Sequence, residues 1–102
     1  MQDMMRQAQQ LQKKMAQVQQ EMANTTVEAS AGGGMVTVTA KGSLEIAAVQ
    51  IDPSVVDAEE VEMLQDLIVA ASNEALKKAR EMMESEMSKV TGGLNLPGMG
   101  MM

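Results

Sequence analysis

From Met4 to Met22 the apolar residues fall at Met4, Ala8, Leu11, Met15, Val18 and Met22, with spacings of 4, 3, 4, 3 and 4. That repeat is a heptad seam, which only an α-helix turns into one continuous stripe. Gln, Met, Lys, Ala and Leu fill the gaps, all good helix formers, and neither Gly nor Pro interrupts. The spacing predicts a helix over about Gln2–Ala23. Its stripe is narrow, as in a coiled coil, so the helix cannot stand alone and needs a partner along its length.

After Asn24-Thr25-Thr26 the period drops to two. Val27, Ala29 and Ala31 alternate with Glu28 and Ser30, and Val36, Val38 and Ala40 alternate with Thr37 and Thr39. Gly32-Gly33-Gly34 separates these runs, and Lys41-Gly42-Ser43 follows the second. Leu44 to Ile51 reads as a third strand, closed by Asp52-Pro53. Its alternation slips, because Ile46 and Val49 cannot share a face without a bulge or burial on both sides. Three short strands joined by Gly turns predict an antiparallel meander. Asp57-Ala58-Glu59-Glu60 then reads as a helix start, with Asp57 as cap and Glu60 reaching back. Apolar positions recur at Val61, Leu64, Ile68, Ala71, Ala75, Ala79, Met82 or Met83, and Met87. A helix from about Ala58 to Val90 rises about 1.5 Å per residue and so spans roughly 50 Å. The predicted protomer is α+β, in the order α-β-β-β-α, with two long helices. It forms one domain over residues 1–93, and residues 94–102 are expected to be a flexible tail.

Composition narrows the chemistry. The 102 residues include no Cys, His, Trp, Tyr or Phe. Disulfides, zinc ribbons, thiol nucleophiles, imidazole bases and imidazole metal ligands are thereby excluded. Stacking of nucleic-acid bases on rings is excluded as well. Nothing assembles a nucleophile, a base and a stabiliser, so no enzymatic activity, cofactor, metal or small-molecule substrate is expected. The N-terminus lacks an apolar h-region, and the longest apolar run, Leu67 to Ala71, is too short to cross a bilayer. A soluble cytoplasmic protein is expected. Thirteen methionines point the same way, because exposed Met oxidises to a polar sulfoxide.

A compact domain of this size is about 35 Å across, from a radius of gyration of roughly 13 Å. The long helix would overhang it, and three short strands cannot cover both helical stripes. Without rings to add buried area, a lone protomer is marginal. A two-fold homodimer is therefore expected, meeting at a sheet edge left open by the meander.

Longer stretches are familiar in their order and spacing. Met4-Met5-Arg6-Gln7-Ala8-Gln9-Gln10-Leu11-Gln12-Lys13-Lys14-Met15 is followed by Ala31-Gly32-Gly33-Gly34-Met35-Val36 and Val49-Gln50-Ile51-Asp52-Pro53. Asp66-Leu67-Ile68-Val69-Ala70-Ala71-Ser72-Asn73-Glu74-Ala75, Lys77-Lys78-Ala79 and Met87-Ser88-Lys89-Val90-Thr91-Gly92-Gly93-Leu94 complete the series. Across nearly the whole chain this resembles the YbaB/EbfC family of bacterial nucleoid-associated proteins. The resemblance implies a homodimer with a central sheet and projecting helical arms. It also implies binding to double-stranded DNA, altered DNA conformation, and a place in the nucleoid, with roles in its organisation and in gene regulation.

The charge balance resists that reading at first. Eight Lys or Arg face fourteen Asp or Glu, a net charge of −6, and such a balance opposes binding to a polyanion. Location matters more. Between Met4 and Gln20 the charged residues are Arg6, Lys13 and Lys14, with no acid among them. On a helical wheel Arg6 and Lys13 lie opposite the seam, with Gln2, Gln9, Gln17 and Gln20 nearby. Cations and amides both suit phosphate oxygens. A second cluster, Lys77, Lys78 and Arg80, is diluted by Glu74, Glu81, Glu84 and Glu86. Either cluster also fits a merely solubilising role, and Glu74 to Lys78 fits an i,i+4 helix pair. The candidate DNA contacts are thus Arg6, Lys13, Lys14, Lys77, Lys78 and Arg80.

The Gly triplet suits a tight turn better than a phosphate cradle, since no P-loop Lys or helix follows it. Asp57, Glu59, Glu60 and Glu62 match no calcium loop and suit a helix start. The Met-rich seam suits core packing, or an adaptable partner surface. That last option supports an alternative function, a coiled-coil adaptor or small chaperone.

Overall fold

The computed structural model describes residues 2–92, with side chains for residues 2–90. The expected tail over residues 94–102 lies outside the described residues. The elements are α1 (Gln2–Ala23), β1 (Thr26–Ala31), β2 (Val36–Lys41), β3 (Ile46–Ile51), a 3-10 turn (Pro53–Val55) and α2 (Val61–Gly92). Together they form the α-β-β-β-α order, with the three strands in one antiparallel sheet, β1-β2-β3.

Side-chain bonds end α1. Thr25 Oγ1 donates to the Glu21 carbonyl at 2.9 Å and Asn24 Nδ2 to the Gln20 carbonyl at 3.3 Å, supplying partners that the last turn of a helix otherwise lacks. At the first hairpin, Gly32, Gly33 and Gly34 have φ of 66°, 68° and 95°. Residues with a Cβ rarely adopt that left-handed region, so the triplet is a turn, as its sequence suggested.

Two boundaries differ from expectation. Asp57 does not cap α2. Its carboxylate accepts from the Glu59 N–H at 3.0 Å in a separate turn, and the helix begins four residues later, at Val61. A short acidic side chain serves an Asx turn as readily as a helix cap, and here the local turn wins. The third strand begins at Ile46 rather than Leu44. Leu44 instead occupies the tight turn, with φ of 66°.

The slipped alternation in β3 is a bulge. Thr39 pairs with Ala48 while Ala40 pairs with Ile46, which leaves Ala47 as the extra residue. Val36, Val38 and Ala40 therefore stand opposite Ile51, Val49 and Ile46, and all six share one face of the sheet.

The core lies between that face and α2. Ala29, Val36, Val38, Ala40, Ala71, Ala75 and Ala79 are buried, with Val27, Ala31, Ile51, Leu64, Leu67, Ile68 and Leu76 packed around them. The small residues Ala71, Ala75 and Ala79 recur every four positions and let α2 sit close to the strands. The helix covers β1 and β2 but leaves β3 largely bare. Ile46 and Val49 consequently remain 42% and 43% exposed.

Candidate nucleic-acid interface

Beyond Ala79 the long helix leaves the sheet and meets α1. The meeting point is the β2–β3 turn, where Gly42 lies against the Met22 carbonyl and the Met82 methyl. The Gly42 N–H donates to the Thr25 carbonyl at 3.0 Å. From there half-burial runs outward along both helices. On α1 it passes back through Val18, Met15 and Leu11, and on α2 forward through Met83, Glu86, Met87 and Val90. The two helices are therefore antiparallel and form an arm. From Leu11 to Met22 the seam predicted for α1 is the surface that packs, against the distal half of α2, while its first two positions, Met4 and Ala8, are exposed. The molecule measures 69 × 27 × 15 Å with a radius of gyration of 19.1 Å, well beyond the roughly 13 Å of a compact chain this long.

The cations sit on this frame in two groups. Arg6, Lys13 and Lys14 are all exposed on α1. Arg6 and Lys13, seven residues apart, occupy one stripe of that helix, about 10 Å from each other along its axis. Lys77, Lys78 and Arg80 are also exposed, at the junction where α2 passes from sheet to arm. Lys78 is engaged differently from the helix pair expected with Glu74, because its Nζ donates across to the Glu28 carbonyl of β1 at 3.1 Å. A lysine laid against a strand is one way of blunting a sheet edge. Lys89 is paired with Glu86 at 3.1 Å. The structure thus groups each trio on its own helix and does not merge them into one patch.

Nine of the fourteen acidic residues lie on the body, while the arm carries Asp3, Glu21, Glu81, Glu84 and Glu86 beside its own cations. From Gly42 to Leu76 the chain carries Glu45, Asp52, Asp57, Glu59, Glu60, Glu62, Asp66 and Glu74, with no Lys or Arg among them. All eight are exposed. Asp52 accepts from the Ser54 backbone N–H at 2.9 Å, and this bond, helped by the Ser54 hydroxyl, holds its carboxyl below the usual carboxylate range. Among the described residues no group of three His, Cys, Asp or Glu is placed to hold a metal ion. No described helix is long and apolar enough to cross a membrane.

A residue that sequence reasoning treated as ordinary proves decisive for this geometry. Gly42 reads as one more turn glycine, yet it sets how closely the arm's root approaches the sheet. No local pattern distinguishes it from Gly33, because its constraint comes from a helix twenty residues earlier in the chain.

A model of the YbaB/EbfC DNA-binding family matches residues 1–94. The chain belongs to this family. A nucleoid-associated protein of Syntrophobacter fumaroxidans is 57% identical over 95 residues, covering 93% of this chain and 86% of that one. A nucleoid-associated protein of Thermoanaerobacter pseudethanolicus is 52% identical over 97 residues, covering 95% and 87%. Among solved structures, the uncharacterized protein HP0035 from Helicobacter pylori aligns with a TM-score of 0.63 and 28% identity, over 76% of this chain and 90% of that one. Membership in the YbaB/EbfC family agrees with the arrangement just described, a chain with an acid-free cationic stretch from Met4 to Gln20 on a projecting helix.

Proposed function

We propose that the protein is a nucleoid-associated homodimer that grips double-stranded DNA through its backbone and alters the path of the duplex. One observation carries the reading. The outward side of α1 exposes Arg6 and Lys13, with Lys14 exposed on its flank and no acid from Met4 to Gln20, on a helix whose opposite side is already engaged with α2. Lys77, Lys78 and Arg80 extend the contact toward the root of the arm. Phosphate contacts need no base stacking, which suits a chain without rings. The acidic body faces away from the polyanion, so repulsion orients the arms toward it.

The dimer follows from what α2 leaves bare. Ile46 and Val49 lie half-exposed on the core face of β3, and Val61 and Val69 of α2 are 48% and 58% exposed. An uncovered edge strand with an apolar face invites a second copy. Pairing would double each cationic helix, so two arms could close on one duplex. The place of action is then the bacterial nucleoid, in the cytoplasm.

Titration of duplex DNA across salt concentrations tests this. Log affinity should fall with log salt at about −0.9 per phosphate neutralised. Replacing Arg6, Lys13 and Lys14 together with Gln should flatten that slope and weaken binding, with the dimer still folded by circular dichroism and sedimentation. A triple variant that binds with unchanged affinity and slope overturns the assignment. The exposed tip residues Met4 and Met5, at 74% and 65%, favour a second reading as a protein-interaction adaptor. In that case a pull-down would retain a partner protein after nuclease treatment, and duplex DNA would not compete.

A further inference from the structure

The methionines are not spread evenly through this molecule. The buried core of the body consists of Ala and Val, with Val, Ala, Ile and Leu around it and no Met at all. Met15, Met22, Met82, Met83 and Met87 are instead half-buried on the facing stretches of α1 and α2. They share that arm contact with Leu11, Val18 and Val90. Sulfur thus makes up most of the arm's apolar seam and none of the body's core. Each of these methionines is partly open to solvent. The chain also lacks Cys, His, Trp and Tyr, so methionine is its one readily oxidised side chain.

We infer that the five seam methionines form an oxidation site whose conversion to sulfoxide opens the arm while the sheet body stays folded. The oxidant is a two-electron acceptor of the peroxide class that transfers one oxygen atom. The thioether sulfur attacks one peroxide oxygen, the O–O bond breaks, an S–O bond forms, and the departing oxygen takes up the proton to leave as water. Sulfur is oxidised and peroxide reduced, one for one. The product places a polar, chiral oxygen in a seam that has no hydrogen-bond donor facing it from Leu11, Val18 or Val90. The α1–α2 contact loses apolar burial at each of its five methionines. A dithiol-dependent sulfoxide reductase would restore the thioether, which makes the change reversible. Its effect on DNA rests on the arm being the DNA-binding element, but the opening of the arm does not.

The test uses the full chain treated with hydrogen peroxide, with sulfoxides located by peptide mass mapping and opening followed by amide hydrogen exchange. Oxidation at the five positions should speed exchange at least tenfold within residues 2–23 and 82–90, and leave β1, β2 and residues 64–79 unchanged. Duplex affinity should fall by about tenfold or more, and sulfoxide reductase with dithiothreitol should return both readouts. Replacing Met15, Met22, Met82, Met83 and Met87 with Leu, which packs a similar volume, should make the arm and its DNA affinity peroxide-resistant although eight methionines remain. Unchanged arm exchange with all five sulfoxides present overturns the inference. So does a leucine variant that still opens under peroxide. An arm that opens without loss of DNA affinity supports the oxidation site and removes the arm from the DNA reading.

Discussion

Replacing Gly42, which is buried in the β2–β3 turn, with Ala should damage this protein more than a methyl group added at an exposed turn residue. An added Cβ would run into the Met22 carbonyl, with the carbonyl carbon at 2.7 Å. Carbon atoms pack at about 3.5–4.0 Å, so the shortfall is about 1 Å. The obstructing atoms are backbone, and they are held in place. Thr25 N–H donates to the Met22 carbonyl at 3.1 Å, and Thr25 Oγ1 donates to the Glu21 carbonyl at 2.9 Å. The turn must therefore back away as a unit and give up the 3.0 Å bond from Gly42 N–H to the Thr25 carbonyl. Overpacking costs about 1–3 kcal/mol and the lost bond about 1, together about 2–4 kcal/mol. For a domain this size that lowers Tm by roughly 10 °C or more. Thermal melts followed at 222 nm measure it, with Ser43→Ala in the same exposed turn as the control, expected within about 0.5 kcal/mol of the parent. A Gly42→Ala variant melting within about 2 °C of the parent would refute the close approach and, with it, the argument that this glycine seats the arm.

Other outcomes follow from the same geometry. Ile46→Glu combined with Val49→Glu should leave a folded but monomeric chain in sedimentation at micromolar concentration, and a persisting dimer would place the interface elsewhere. Ala75→Leu pushes a larger side chain into a fully buried site between α2 and the sheet and should cost about 1–3 kcal/mol in denaturant unfolding. The lowered pKa of Asp52 means its bond to Ser54 stabilises the 3-10 turn at every pH above the ordinary carboxylate value of about 4, and the contribution is lost as pH falls through the lower native value. A carboxyl-resolved NMR titration should find its midpoint below that of a free aspartate peptide, and a midpoint at or above it contradicts the cap.

Much of this was readable in residue order. The seam of α1 is visible because a heptad repeat is a property of neighbouring residues, and from Leu11 to Met22 the face engaged in the structure is the one the spacing marks. The Gly triplet, the alternation of β1 and β2, and the cationic outer side of α1 were readable on the same grounds. Asp57 reads as a helix cap because an acidic side chain two residues before a turn amide and one before a helix look alike in sequence. Helical spacing offers Lys78 a partner in Glu74, while its acceptor in the structure lies fifty residues earlier on β1.

What the sequence determined by itself was therefore the set of elements and their order, since periods of 3.5 and 2 and the breaks between them are local. Tertiary structure alone decided that α1 lies along the far half of α2 and stands off the body. It decided that the bulge at Ala47 turns Ile46 to the same face as Val49, and that Gly42 touches Met22. The physical reason is that each of these depends on distances between chain segments far apart in sequence, set by which apolar faces bury each other, and no pattern confined to one segment carries that information.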